Sequence, residues 1–199
     1  TGKSSFLWAL EQNLLGKQTI FNSVSETYPG IQSFEFIKLI GEYKPLSVAL
    51  ANNLKIEFTD DQVEDQVLEK LEKIITKNSK KKIVTVLIFD EFGKFLEYAV
   101  KNNPDKEVYF IQRLAEFFND AKKLALSILS LHQNFSSYGQ SLTSEQFKEW
   151  EKVKGRLKEV PFNEPIDQLL FFASERNQFK GLTLEKKSLD LFNLIKTHN

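Results

Sequence analysis

The chain has 199 residues, 41% of them hydrophobic and 27% charged, enough for one substantial domain and the start of a second. Lys and Arg balance Asp and Glu to a net charge of zero, so bulk electrostatics select neither nucleic acid nor an acidic partner. The absence of Cys, with His132 and His198 the only histidines, excludes a disulfide framework, a thiolate metal site and a multi-histidine centre; no apolar run reaches membrane-spanning length.

The chain opens on Thr1-Gly2-Lys3-Ser4-Ser5, followed by Phe6, Leu7, Leu10, Leu14 and Leu15 at helical spacing. Gly-Lys-Ser entering a helix is the end of the phosphate-binding loop G-x-x-x-x-G-K-[ST]. The loop's first Gly and the strand before it are therefore expected upstream of Thr1. Residues 33–40 alternate as a strand does, and Pro45 starts a short helix through Leu54. Thr59-Asp60-Asp61-Gln62 has the form of a capping box, with Thr59 as N-cap and Gln62 at the third helical position. The helix it opens carries Val63, Val67, Leu71, Ile74 and Ile75 on one stripe. Lys77, Lys80, Lys81 and Lys82 then form a basic run. It reads as a solvated connector, with a nucleic-acid or partner contact as the alternative.

Residues 83–89 are a near-continuous β-branched and apolar run, as in a parallel-sheet strand buried on both faces. The run ends in Asp90-Glu91, and a helix follows with Phe92, Phe95, Leu96 and Ala99 on one face. A second helix is expected after Asn102-Asn103-Pro104, then a strand over 124–131. Thr143 to Gln146 repeats the capping-box pattern before a helix bearing Phe147, Trp150 and Val153. A last short strand is expected over 157–162, a helix from Pro165, and an amphipathic helix over 184–195. Strands alternating with helices predict an α/β fold, a three-layer sandwich on a mostly parallel sheet. Residues 1–163 are expected to form the core, and 164–199 a helical segment that starts a C-terminal lid.

Two of these motifs carry chemistry. Backbone N–H groups at a helix N-terminus concentrate partial positive charge where phosphate binds. Thr1, Gly2, Lys3, Ser4 and Ser5 would cradle a nucleotide, Lys3 reaching the β- and γ-phosphates and the Ser4 hydroxyl ligating Mg²⁺. Asp90, at the carboxyl end of its strand, would hold the same Mg²⁺. Glu91 is then placed to polarise an attacking water as general base. Taken alone, Asp90-Glu91 could be acids that complement the dipole of the following helix. Their joint occurrence with Gly2-Lys3-Ser4 favours the nucleotide site.

Beyond this point the chain resembles the AAA+ ATPases, phosphate-loop enzymes whose strand after the acidic one ends in a polar residue sensing the γ-phosphate. Ser130-Leu131-His132-Gln133-Asn134 stands there, and the resemblance implies Gln133, with Asn134 also possible, as the residue orienting water or γ-phosphate. Gly155-Arg156-Leu157, leading through Val160-Pro161-Phe162 to Pro165, is similar to the family's Gly-Arg-Phe-like element. That likeness implies that Arg156 reaches a neighbouring subunit's site as an arginine finger. The stretch from Gln133 to Arg156 is longer than the compact family pattern, and a surface Arg at a helix end is the alternative reading.

Asp90 through Phe95 and Leu131 through Phe135 are similar to segments of large bacterial ATPases from mobile-element and phage-defence loci. The nucleotide motifs make ATP and Mg²⁺ the expected cofactors, the AAA+ likeness implies a homo-oligomer or larger multidomain assembly, and the lack of Cys and of a membrane-length apolar run fits an expected cytoplasmic setting away from membranes. A guanine-reading Asn-Lys-x-Asp and the Leu-Ser-Gly-Gly-Gln signature of transporter ATPases do not occur. A helicase-type motor, which Asp90-Glu91-Phe92-Gly93 would also satisfy, and a slow nucleotide switch are the alternatives.

Overall fold

A computed structural model describes residues 2–18, 20, 28–59 and 61–161. Helix α1 (Lys3–Leu14) precedes strand β1 (Ser33–Ile40), and helices α2 (Leu46–Asn53) and α3 (Val63–Ser79) lead to strand β2 (Ile83–Asp90). Helices α4 (Gly93–Asn102) and α5 (Pro104–Phe118) connect to strand β3 (Ala125–Leu129), and α6 (Phe135–Tyr138) and α7 (Ser144–Lys154) follow. The fold is α/β: the three strands make one parallel sheet in the order β1-β2-β3. Register sets Ile40 opposite Asp90, and Phe89 opposite Leu129. Contacts divide the chain between Glu159 and Val160, and all of these elements belong to the first unit.

β2 is the centre of this unit because both of its faces are apolar. Val86 and Ile88 turn to one side, where they pack with Leu7 of α1 and Phe34 of β1. Leu87 and Phe89 turn to the other side and join Leu50, Val67, Leu71, Phe92, Phe95 and Trp150 in the larger core. Each fully buried side chain of this size contributes about 1.5–3 kcal/mol. Thr85 interrupts the run, yet its buried hydroxyl accepts from Asn78 Nδ2 at 2.9 Å, so the polar group is satisfied. Across the smaller core, Lys38 of β1 pairs with Glu11 of α1 at 3.0 Å. Trp150 of α7 stacks on Phe135 with ring centroids 4.5 Å apart and donates its indole N–H to the Phe135 carbonyl.

Two local expectations are corrected. α3 begins at Val63, with Gln62 as an N-cap that gives no side-chain bond, so Thr59 does not cap it. Residues 61–62 form a turn, and Gln62 N–H donates to the Thr59 carbonyl at 3.1 Å. Burial of Val63 sets the first turn there, and Glu64 and Asp65 meet the helix dipole with charge instead. Residues 157–161 form no strand. Lys158 and Glu159 break the apolar alternation, and the Glu159 carboxylate accepts from Phe135 N–H at 3.3 Å. The capping box at Thr143 and Gln146 is present with both of its bonds. Phe162 and the helices expected from Pro165 and over 184–195 lie outside the described residues.

Helix α2 receives its cap from another element. Pro45 has no side-chain acceptor to offer, and the buried carboxylate of Glu107 on α5 accepts from Leu46 N–H instead. Burial pushes the Glu107 pKa up, the Leu46 and Lys106 interactions pull it down, and the nearby Glu64 carboxylate adds to the rise. The net direction is upward from 4.5, so Glu107 contributes stability that is full below pH 4.5 and is lost as pH rises through the folded value. Denaturant unfolding should show stability falling as pH rises from 4.5 toward neutrality. Glu107→Gln keeps an acceptor for Leu46 and should flatten that fall; an identical pH slope in the variant would refute the assignment. Glu107→Ala, which leaves Leu46 N–H without this acceptor, should lose about 1–3 kcal/mol.

Candidate functional site

The carboxyl edge of the sheet gathers residues that are far apart in sequence. Parallel pairing brings the ends of β1, β2 and β3 to one edge, so Gly41, Asp90-Glu91 and Ser130 emerge side by side. α1 delivers its first turn to the same place. Ser4 Oγ donates to Asp90 Oδ2 at 2.6 Å across 86 residues of sequence. Ser130 Oγ donates to Asp90 Oδ1, also at 2.6 Å. The Glu91 N–H lies 3.0 Å from Asp90 Oδ1 and 2.9 Å from Ser130 Oγ, and donates to both. Each carboxylate oxygen of Asp90 thus has its own hydroxyl donor.

These bonds fix a charge state. Burial raises the Asp90 pKa, but the hydrogen bonds from Ser130, Ser4 and Glu91 N–H, with the charge of His132, outweigh it. The carboxyl is held below its ordinary value and is ionised at neutral pH. α1 begins on Gly2, whose φ of +37° is a conformation that glycine adopts at little cost. Gly2 has no side chain with which to cap this helix N-terminus. Its partial positive charge therefore faces the same edge as the ionised Asp90.

Glu91 has a non-glycine φ of +56° in the turn from β2 to α4, and its carboxylate pairs with Lys94 at 2.5 Å. Lys3 is half-buried as the first residue of α1 and makes no ion pair among the described residues, while Ser4 and Ser5 are exposed. Thr1 lies outside the described residues. Gln133 is exposed, and its backbone N–H, with that of His132, is directed at the phenol oxygen of buried Tyr138. That oxygen occupies the space where a Cβ on Gly93 would be, so a glycine there admits Tyr138 to the segment. Asn134 is committed as the N-cap of α6, accepting from Ser137 N–H at 2.9 Å. The side chain from this segment that reaches Asp90 is Ser130.

Arg156 stands elsewhere. Its guanidinium bonds Glu116 at 2.7 Å and the Lys152 carbonyl at 2.8 Å. Gln146 bonds Asp105 in the first turn of α5, so α7 runs alongside α5 in the same direction. Glu116 lies near the end of α5 that leads into the start of β3, about 16 Å along the helix from Asp105. Arg156 is therefore remote from the Asp90 edge of its own chain. The basic run is remote too: its Lys77, Lys80 and Lys81, with Glu72, Lys73 and Thr76, line a depression of about 430 Å³ next to the start of β2.

Sequence reasoning passed over Ser130, Gly41 and Lys94 as site residues. The available signal for Ser130 was a small hydroxyl closing an apolar strand beside the strand of Asp90. Among the described residues no helix is long and apolar enough to cross a membrane, and no cluster of three or more His, Asp or Glu could hold a metal. Comparison with protein-family models, with curated proteins and with solved structures gave no match for this chain.

The hydroxyl bonds make a checkable electrostatic statement. Ser4→Ala and Ser130→Ala should each raise the Asp90 pKa toward its ordinary 3.8, because each removes a donor that favours the charged form. Carboxyl-carbon NMR titration reads this directly, and an unmoved pKa in both variants would show that the bonds are absent in solution. In the wild type, the stability contributed by Asp90 is full above pH 3.8 and is lost as pH falls through the depressed value.

Proposed function

We propose that this chain binds ATP with Mg²⁺ and hydrolyses it, as the phosphate-loop core of a larger AAA+-like protein. The observation that carries the reading is the 2.6 Å bond between Ser4 and Asp90. The sequence motifs assign those two residues to one metal site, which requires their oxygens to lie side by side, and neither motif by itself brings them together.

The donor set supports the ion. Mg²⁺ in nucleotide sites takes one or two protein oxygens and fills its octahedron with phosphate oxygens and water. A hydroxyl and a carboxylate at one edge match that demand. Adjacent oxygens of such an octahedron lie roughly 2.9 Å apart, and Ser4 Oγ and Asp90 Oδ2, at 2.6 Å, need to separate only slightly. The ion would neutralise charge on the β- and γ-phosphates. Lys3 and the N–H groups of the first turn of α1 would bind the phosphate oxygens. Ser130 would keep Asp90 ionised, and Glu91, once parted from Lys94, would accept the proton of the attacking water. Arg156 pairs with Glu116, remote from its own Asp90, so a finger role would have to be played at a neighbouring chain's site.

Three variants test the scheme. Lys3→Ala should weaken ATP binding at least roughly tenfold by calorimetry, a loss of about 1.4 kcal/mol; unchanged affinity would overturn the phosphate role. Glu91→Gln should retain ATP while turnover falls about 10²–10⁴-fold, and a normal rate would assign the proton to another group. Arg156→Ala and Glu91→Gln subunits, each inactive alone, should regain some activity when mixed. Mixed interfaces can unite an intact Glu91 with a neighbour's Arg156. Co-assembly without recovery would exclude a finger in trans, and full activity of Arg156→Ala alone would remove the residue from the mechanism.

A further inference from the structure

We infer that Gly41 and Ser130 are positioning residues that hold the Glu91 peptide in its left-handed conformation from two sides. The inference rests on the reading of Glu91 as the base and adds what aims it.

The first observation is the place of the strain. Three described non-glycine residues have positive φ: Lys55, Lys82 and Glu91. Lys55 and Lys82 lie just past the ends of α2 and α3, where left-handed residues commonly terminate helices. Glu91 lies between a strand and the helix it leads into. A left-handed conformation there costs about 1–3 kcal/mol and persists only if its surroundings enforce it.

The surroundings do so residue by residue. Ser130 N–H donates to the Phe89 carbonyl at 2.8 Å, and Phe92 N–H donates to the Ser130 carbonyl at 2.9 Å. Between those two backbone bonds, Ser130 Oγ accepts from Glu91 N–H and donates to Asp90 Oδ1. One residue of the β3 strand end therefore ties four consecutive residues of the turn. On the opposite side, Gly41 N–H donates to the Asp90 carbonyl at 2.7 Å. A Cβ at Gly41 would overlap the carbonyl carbon and oxygen of Glu91. The Glu91 peptide is thus in van der Waals contact with a residue that has to be glycine. Beyond it, Phe92 is buried against Phe89 and Phe95, which stops the turn from unwinding toward α4. A glycine at position 91 would remove the strain at once, but it would also remove the carboxylate.

Two measurements on the full chain decide the matter. In steady-state ATP hydrolysis, Ser130→Ala should lower kcat roughly tenfold or more with KM for ATP within about twofold, because Lys3 and the first turn of α1 are untouched and Asp90 keeps its Ser4 bond and its charge at neutral pH. Ser130→Thr retains the hydroxyl and should recover most of the rate. Gly41→Ala should lower kcat in the same way in material whose circular dichroism matches the wild type. In denaturant unfolding, Glu91→Gly should have a folding equilibrium constant roughly fivefold larger than Glu91→Ala. Wild-type kcat in Ser130→Ala, or equal stability of the two Glu91 variants, would overturn the inference while leaving the ATPase reading standing. Absence of turnover in the full-length wild-type protein would overturn the ATPase reading, and with it any catalytic purpose for the turn; the two Glu91 variants would still report whether the backbone is held against its preference.

Discussion

The geometry of the candidate site depends on the burial of β2 on both faces. Val86 and Ile88 have one core to fill and Leu87 and Phe89 another, so a slip of one residue in register would exchange the two sets. Four such side chains contribute several kcal/mol together, whereas a typical hydrogen bond contributes about 0.5–1.5 kcal/mol net. Packing therefore decides where β2 ends, and the polar bonds at its end refine a position already fixed. Asp90 emerges at the carboxyl edge because Phe89 is the last residue of β2 whose side chain the core holds. Gly41 and Ser130 flank the acidic turn because β1 and β3 share the register of β2.

Once that edge exists, its small residues carry as much meaning as its charged ones. Ser4 and Ser130 each satisfy one oxygen of Asp90. An apolar side chain at either position would leave an ionised carboxylate short of a donor. Gly41 and Gly93 work by what they lack, the first admitting the Glu91 carbonyl and the second the Tyr138 phenol. Tyr138 in turn anchors the backbone of residues 132 and 133, so the loop after β3 is held from below and its polar side chains face outward.

This division explains what was legible in the sequence. β1 and β2 could be read because period-two alternation and a continuous β-branched run are burial patterns, and burial is what built them. The capping box at Thr143 could be read because its two bonds are local. The same pattern at Thr59 misled, since a tertiary demand, the burial of Val63, set the helix start elsewhere. Within Ser130 to Asn134, the family resemblance implied Gln133, with Asn134 also possible, and which side chain meets Asp90 depends on where β3 stops. Ser130 is the first residue past the last paired position, whereas Asn134 is used by α6. The left-handed Glu91 leaves no trace in composition or periodicity. Only the crowding from Gly41, a partner 50 positions away in sequence, gives it away.

Two of the charged groups with proposed roles in turnover are engaged in ion pairs: Glu91 with Lys94, and Arg156 with Glu116. All four side chains are roughly a third to a half exposed, and ion pairs at such sites contribute about 0–1 kcal/mol. Releasing either is a small step beside the 10³–10⁵ in rate that an arginine finger supplies in phosphoryl transfer. Such pairs can hold both side chains ordered in the isolated chain without obstructing their use. The backbone beneath Glu91 is a different matter, being tied at four consecutive residues and packed against glycine. On this reading the carboxylate moves and its peptide does not, so the strain in the turn is a fixed cost of catalysis and not a switch.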